Sequence, residues 1–121
     1  MNSIPKWLLF YFFILLLGNC RFSGGENQVC FRRHCYRVEI ADDENKRMRG
    51  LQHRAQLDPD AGMLFIFPEN GRHAFWMKNT FIPLDIVFID SKLKVTDIYR
   101  SAKPNDETTI PSRAPARFAL E

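Results

Sequence analysis

Short runs in which apolar and polar residues alternate follow one another through most of the chain after residue 28. In residues 29–41, for example, Tyr36, Val38 and Ile40 share one face of a predicted strand. Further runs of this kind are separated by turn-forming residues, and they predict strands at 63–67, 72–79, 81–90, 95–102 and 116–121. So many short strands indicate a mainly β domain, folded as a small sandwich or barrel.

One segment of the chain has the pattern of a helix. Residues 42–54 begin with Asp42 or Asp43 as a helix cap, carry acidic residues in the first turn and end in basic residues. Met48 and Leu51 are three positions apart, so both are expected to pack inward. The domain is therefore predicted to contain one short helix beside its strands.

The first residues show no alternation at all. Lys6 is followed by an unbroken apolar run at residues 7–17, which is 11 residues long, whereas a helix that spans a bilayer needs about 20. A short basic start, an apolar run of this length and a small residue near its end are typical of an export signal. We therefore expect residues 1–19 to be a signal peptide.

The end of this signal resembles the lipid-attachment box of bacterial lipoproteins. Residues 17–20 read Leu-Gly-Asn-Cys, and in such a box the peptide is cut before the cysteine, whose thiol carries lipid. Asn19 departs from the small residue usual at its position, so ordinary secretion is the alternative, with Cys20 as a free thiol or paired with another cysteine. When lipidated, Cys20 anchors the protein to the envelope membrane, and the polar residues 20–28 form a flexible tether.

Length and charge limit the remaining possibilities. The chain has 121 residues, enough for one domain, which is placed at residues 29–121. Removing residues 1–19 takes away Lys6 and no acidic residue, so the formal net charge falls from +3 to +2. Basic residues are interspersed with acidic ones, which is not typical of a nucleic-acid-binding protein. The sequence predicts no nucleic-acid partner.

Cys30 and Cys35 enclose a Phe-Arg-Arg-His segment. In a straight strand they lie about 17 Å apart on opposite faces, beyond the reach of a disulfide. If residues 31–34 turn back instead, the two cysteines face each other and become oxidised after export. Both arrangements agree with the sequence. A metal site that includes His34 lacks a fourth ligand and the usual spacing, so no metal is predicted.

Residues 75–90 read FWMKNTFIPLDIVFID and place polar residues inside an apolar segment. Asp85 has apolar neighbours on both sides, and a buried carboxylate needs a partner. Arg54 and Lys78 are the predicted partners, and the favoured interpretation is an ion pair that joins the helix to the sheet. We expect residues 78–80 to lie where the strand leaves the core, beside the end of the helix.

The second interpretation of the same residues is a binding pocket. Trp76, Lys78 and Thr80 share a strand face and offer an aromatic platform, a cation and a hydroxyl group, which suits a small anionic or sugar-like ligand. His73 belongs to the same candidate site, and His73 with Asp85 as acid and base describes a hydrolase-like enzyme. The chain shows no zinc-protease motif, no ordered catalytic triad and no phosphate-binding glycine loop. No cofactor is predicted.

Four motifs, in this order, resemble the DUF192 family, also called UPF0127. They read RGLQHRAQL at 49–57, GMLFIF at 62–67, FWMKNTFIPLDIVFID at 75–90 and KVTDI at 94–98. The resemblance runs from about residue 37 to residue 121. It implies a small, mainly β, sandwich-like domain that is often exported and has no established activity.

Family members continue past the Leu-Glu that stands here at 120–121, through a Gly-rich turn and a further strand segment. The resemblance therefore implies a shortened domain with an unpaired sheet edge. The favoured function is that of a lipid-anchored envelope protein whose β domain binds a ligand or a protein partner. The alternatives are the hydrolase-like enzyme and a structural or vestigial fragment.

Overall fold

The structure, a computed structural model, describes residues 26–121. The predicted signal peptide, Cys20 and most of the tether lie outside this part of the chain. The elements are β1 (Gln28–Phe31), β2 (His34–Ala41), α1 (Glu44–Arg49), β3 (Ala61–Gly71), β4 (Ala74–Phe75), β5 (Leu84–Ile89), β6 (Val95–Ala102), β7 (Ile110–Pro111) and β8 (Ala116–Leu120). The prediction of a mainly β domain with one short helix is confirmed.

Six strands form one curled sheet with the shape of a half-barrel, in the order β1-β2-β3-β8-β5-β6, and β4 pairs with β7 in a separate ribbon. β2 and β3 run parallel and are connected through α1, whereas the other paired strands are antiparallel. β8 pairs with β3 on one side and with β5 on the other, and the edge strands of the sheet are β1 and β6.

The core lies where the inward face of the sheet meets the β4–β7 ribbon and Leu51, which lies just past the end of α1. Phe65 of β3 and Phe88 of β5 are both in register with Ala119 of β8, so a small residue separates two large ones. The ring of Phe75, on β4, meets these two rings edge-on, with centroids 4.9 Å and 5.7 Å away. Aromatic rings in this arrangement contribute about 0.5–1.5 kcal/mol per pair beyond the area they bury.

Helix α1 is shorter than predicted because glycine ends it. The Asp43 side chain caps the helix by accepting the N–H of Lys46 at 2.8 Å, and Gly50, at φ 49°, donates its N–H to the Lys46 carbonyl at 2.9 Å. Leu51 therefore follows the helix and is buried, at 1% exposed, while Met48 is 68% exposed. The prediction that both residues pack inward is wrong for Met48, since the helical spacing does not continue through Gly50.

The segment with both cysteines is a hairpin, so the straight strand is excluded. Arg32 and Arg33 form the turn, and the register pairs Cys30 with Cys35. In an antiparallel pair the positions alternate between hydrogen-bonded and closer, non-bonded ones. The Phe31–His34 pair closes the two-residue turn, so the cysteines occupy a close position. Their Cα atoms are 4.0 Å apart and their sulfur atoms form a disulfide.

The strand predicted at 72–79 is much shorter in the structure, where only the two residues of β4 are extended and paired. The chain turns soon after β4. Asn79 has φ 51°, a left-handed conformation that asparagine tolerates better than most residues. Its carbonyl accepts the N–H of His53 at 2.9 Å, which fixes this turn beside the end of α1, where the sequence places it. The turn predicted at 68–71 belongs instead to β3, which continues through a register shift between Ile66 and Gly71.

Candidate functional site

A pocket of about 270 Å³ opens between α1, the turn that follows the helix, and the aromatic side of the core. Aromatic side chains form its apolar walls, and they come from β3, from β4 and from the residue after β4: Phe65, Phe67, Phe75 and Trp76. Six polar side chains also belong to the lining: Glu44, Arg47, Arg49, Gln52, Thr80 and Glu121. An apolar cleft with a few convergent polar groups is the usual form of a small-molecule site.

Trp76 is the most accessible aromatic residue of this lining. It is 47% exposed, whereas Phe65 and Phe75 are 1% and 9% exposed. The ammonium nitrogen of Lys78 lies 5.0 Å from the centre of the indole, within range of a cation–π contact. The same ammonium is 3.8 Å from a carboxylate oxygen of Glu107. Lys78 therefore holds the indole from one side and does not itself line the pocket.

The polar side chains of the lining keep spare hydrogen-bonding capacity. Arg47 uses one N–H on the Ile66 carbonyl, at 3.0 Å, and a guanidinium has five. Gln52 donates one N–H to the Met48 carbonyl at 3.3 Å, which leaves its amide oxygen free to accept. The buried Thr80 hydroxyl donates to the Lys78 carbonyl at 3.2 Å and can still accept a bond. Both donors and acceptors thus remain for a ligand.

Glu121 brings a carboxyl group to the same place. Its backbone exchanges two hydrogen bonds with Met63 of β3, at 2.9 Å and 3.0 Å, so strand pairing fixes its position. A β-carbon placed on Gly50 would lie 3.5 Å from a Glu121 carboxyl oxygen, so the carboxyl sits against the end of α1. Burial raises the pKa of Glu121 to about 8, because removal from water penalises the charged form. At neutral pH this group is mostly protonated, and it can donate as well as accept.

The residues predicted to form an ion pair at Asp85 are not brought together. Asp85 is exposed on β5, and its carboxylate accepts the backbone N–H of Ser101 at 2.8 Å. Arg54 pairs instead with Glu39 of β2, through both of its terminal nitrogens. The prediction is wrong because alternate residues of β5 face opposite sides: Leu84 and Ile86 point into the core, and Asp85 points away from it.

The acid–base pair of the enzyme hypothesis is not formed either. The ring of His73 stacks on Phe67 at 3.7 Å between centroids, and its Nε2 lies 3.1 Å from the Glu69 carbonyl. Asp85 lines a different feature, an open and mostly apolar groove of about 860 Å³ beside β5, β6 and the loop at 55–59. His73 and Asp85 share neither a hydrogen bond nor a pocket, so this geometry does not support the hydrolase-like interpretation.

Of the six residues proposed from the sequence for the candidate site, the structure places two, Trp76 and Thr80, in the pocket lining. Reasoning from the sequence missed the other polar residues of the lining, which are Arg47, Gln52, Glu44, Arg49 and Glu121. Arg47 and Gln52 had a usable signal, since they lie on either side of Gly50, the glycine that ends α1. Glu121 had none, because its burial arises only when β8 pairs beside the end of α1.

Residues 26–121 contain no group of three or more histidine, cysteine, aspartate or glutamate side chains arranged to hold a metal ion. Among the same residues, no helix has the length and hydropathy to cross a membrane. Cys20, the candidate lipidation site, lies outside the described part of the chain.

Comparison with known proteins places the chain in a family. The model of DUF192, described as an uncharacterized ACR, matches residues 27–121. No curated protein matches. A crystal structure of a protein of unknown function from Novosphingobium aromaticivorans is similar, with a TM-score of 0.71 and 37% identity, over 72% of this chain and 62% of that one. This chain therefore spans less than two thirds of that protein's length.

A second similar structure comes from Sinorhizobium meliloti and is described as a candidate transcription regulator. Its TM-score is 0.70 and its identity 44%, over 72% of this chain and 67% of that one. Both structures support the fold described above. Because the family model covers nearly all of the described residues, this chain belongs to the DUF192 family.

Proposed function

We propose that this protein is an exported, lipid-anchored envelope protein whose β domain binds a small, neutral, sugar-like ligand in the pocket beside α1. One observation carries the binding part of this proposal. A half-exposed indole, Trp76, lines one cleft together with the amide of Gln52, the hydroxyl of Thr80 and the largely protonated carboxyl of Glu121. An aromatic surface with several mixed donors and acceptors matches a ring that carries hydroxyl groups.

The charges of the lining support a neutral ligand over an anionic one, because Arg47 and Arg49 are accompanied there by Glu44 and Glu121. Lys78, the cation expected to attract an anion, is engaged by Trp76 and Glu107 and lies outside the lining. The Arg47 guanidinium uses one N–H on the Ile66 carbonyl and keeps the others for ligand hydroxyl groups. Glu121 would repel an anion whenever its carboxyl ionises, whereas neutral hydroxyl groups bond to either form of the carboxyl.

The size of the pocket sets the expected affinity. A volume of about 270 Å³ suits a ligand of roughly a dozen non-hydrogen atoms. At about 0.3 kcal/mol per atom, such a ligand gains about 4 kcal/mol, which corresponds to a dissociation constant near 1 mM. Detection therefore calls for a method that tolerates weak binding.

Saturation-transfer NMR with a panel of neutral monosaccharides and disaccharides tests the binding proposal. We expect transfer from the wild-type protein to at least one sugar, and a signal reduced about tenfold by Trp76→Ala. Phe81→Ala is the matched control, because Phe81 is 49% exposed and lies outside the pocket. The proposal fails if no sugar receives saturation, or if both variants lose the signal equally.

The export and anchoring parts rest on the apolar run at 7–17 and on the Leu-Gly-Asn-Cys at 17–20. The Cys30–Cys35 disulfide is consistent with an oxidising compartment. We expect the protein to fractionate with membranes and Cys20→Ser to release it or leave it unprocessed. A wild-type protein that is fully released, with an unmodified N-terminus by intact mass, would refute the anchor and leave the pocket proposal standing.

A further inference from the structure

The Cys30–Cys35 disulfide stands at the end of the hairpin formed by edge strand β1 and its neighbour β2. Both cysteines are exposed, and the turn residues Arg32 and Arg33 between them are exposed as well. A reagent in solution can therefore reach either sulfur atom without any movement of the domain. An accessible disulfide is the kind that exchanges with other thiols, in contrast to a buried structural one.

The charges around this bridge are not balanced. Two basic residues of the hairpin have acidic partners: His34 lies 3.0 Å from Asp60, and Arg37 lies 3.5 Å from Asp58. Arg32 and Arg33 belong to no ion pair among residues 26–121. Two uncompensated guanidinium groups thus sit in the turn that the disulfide closes.

Positive charge near a cysteine changes both the acidity of its thiol and its ability to act as a leaving group. Cations near a cysteine favour the thiolate over the thiol, and a stabilised thiolate is a better leaving group. Both effects make the disulfide easier to open and the reduced pair easier to maintain. The sequence between the cysteines, Phe-Arg-Arg-His, places both arginines within three residues of each cysteine along the chain.

The domain does not depend on this bridge for its fold. The two cysteines are 5 positions apart, and so short a closed loop removes little chain entropy. β1 has no buried residue, and its register with β2 is held by the antiparallel ladder and by the bond from Val38 N–H to the Asn27 carbonyl at 2.8 Å. The disulfide can therefore open and close while the core stays intact.

We propose that Cys30 and Cys35 form a thiol–disulfide exchange site that accepts two electrons from the dithiol of a partner. The partner thiolate attacks one sulfur, the Cys30–Cys35 bond breaks, and a mixed disulfide forms as the second cysteine leaves as a thiolate. The second thiol of the partner loses its proton and attacks the mixed disulfide. The partner ends as a disulfide, and Cys30 and Cys35 end as two free cysteines.

This activity is separate from sugar binding and does not depend on the pocket. Export supplies the compartment in which the site would operate, but the exchange chemistry can be measured without it. Failure of the pocket or of the lipid anchor therefore leaves the exchange proposal standing, and the reverse also holds.

Redox equilibrium with glutathione tests the proposal. The full chain is prepared with Cys20→Ser, so that Cys30 and Cys35 are the only cysteines, and the reduced fraction is measured by thiol alkylation and mass. We expect half-reduction within the range of glutathione buffers. Arg32→Gln combined with Arg33→Gln should shift the exchange equilibrium about tenfold toward the disulfide, equivalent to about 30 mV.

Lys92→Gln combined with Lys94→Gln is the control, because this pair removes two exposed charges from the turn between β5 and β6. It should leave the equilibrium unchanged. Ultraviolet titration of the reduced proteins should show thiolate forming at higher pH in the arginine variant than in the control. A disulfide that resists excess reduced glutathione, or two variants with equal equilibrium constants, would overturn the proposal.

Discussion

The Arg54 guanidinium donates hydrogen bonds from both terminal nitrogens to the Glu39 carboxylate, and this ion pair links the turn after α1 to strand β2. Glu39 is in register with Met63 of β3, whose side chain is buried in the core. The pair therefore lies on the inward side of the sheet, and Arg54 follows Leu51 and Gln52 closely along the chain. It positions the segment that forms one wall of the pocket.

The contribution of this pair to stability should be small but measurable. The side chains of Arg54 and Glu39 are 35% and 55% exposed, so solvent screening keeps the coupling free energy at or below about 1 kcal/mol. Urea unfolding of Arg54→Gln, Glu39→Gln and the double variant measures it. If the two single losses simply add, the two side chains are not coupled.

The same pair should make the protein sensitive to acid. The hydrogen bond from Arg54 lowers the pKa of Glu39 below its usual value of 4.5. A carboxylate with a depressed pKa stabilises the folded state above the unfolded pKa, and this contribution is lost as the pH falls through the folded value. The Glu39→Gln variant should therefore lose less stability than wild type between neutral pH and about pH 3.

Leu51 and Met48 form a matched pair that tests where helix α1 ends. Leu51 is 1% exposed and Met48 is 68% exposed. Leu51→Ala should cost about 2–5 kcal/mol of unfolding free energy, as expected for a large buried side chain, and Met48→Ala should change it by less than about 0.5 kcal/mol. Denaturant unfolding measures both, and comparable losses would contradict the glycine-ended helix.

Substitution of Asp85 should have little effect. The carboxylate is exposed, and the structure gives it one hydrogen bond, from the Ser101 N–H. Asp85→Asn keeps an acceptor and should be nearly neutral, while Asp85→Leu loses the bond and should cost about 1 kcal/mol or less. Thermal unfolding is the measurement. A loss of several kcal/mol in either variant would show that Asp85 has a buried partner.

Glu121 should make stability fall as the pH rises. Its pKa is about 8 in the folded protein, against a usual value of 4.5, so the folded state holds this proton more tightly than the unfolded one. The stabilisation is complete below pH 4.5 and is lost as the pH rises through 8. Its size is on the order of 3–5 kcal/mol, from the cost of one pKa unit.

Glu121→Gln isolates this effect from other pH-dependent contributions to stability. The variant should be more stable than wild type at pH 9, and the difference should shrink or reverse at pH 5. Urea unfolding at a series of pH values provides the comparison. Parallel stability curves for wild type and variant would mean that the carboxyl is not desolvated.

The local pattern of apolar and polar residues was sufficient to place one strand, although burial does not alternate along it. Strand β6 begins and ends where the alternation predicts, at Val95 and Ala102. The pattern misled at Asp85, because apolar neighbours in sequence point to the opposite side of the strand and say nothing about the side that Asp85 faces. Chain neighbours are poor indicators of burial in a strand for this reason.

The pocket was only partly predictable because tertiary pairing builds it. Trp76 and Thr80 could be proposed from the motif that contains them. Glu121 reaches the end of α1 only because β8 inserts between β3 and β5. Likewise, Arg54 meets Glu39 because the parallel β2–β3 crossover brings the turn after α1 over β2. No local spacing in the sequence encodes either contact.

Intrinsic fluorescence of Trp76 tests the central claim, sugar binding beside α1, most directly. The chain has two tryptophans, and Trp7→Phe leaves Trp76 as the only reporter. Titration with the neutral sugar selected by NMR should give a saturable change in emission with a midpoint near 1 mM, and Gln52→Ala should raise that midpoint. Emission that changes only linearly with sugar, or saturates identically in the Gln52→Ala variant, would contradict binding in this pocket.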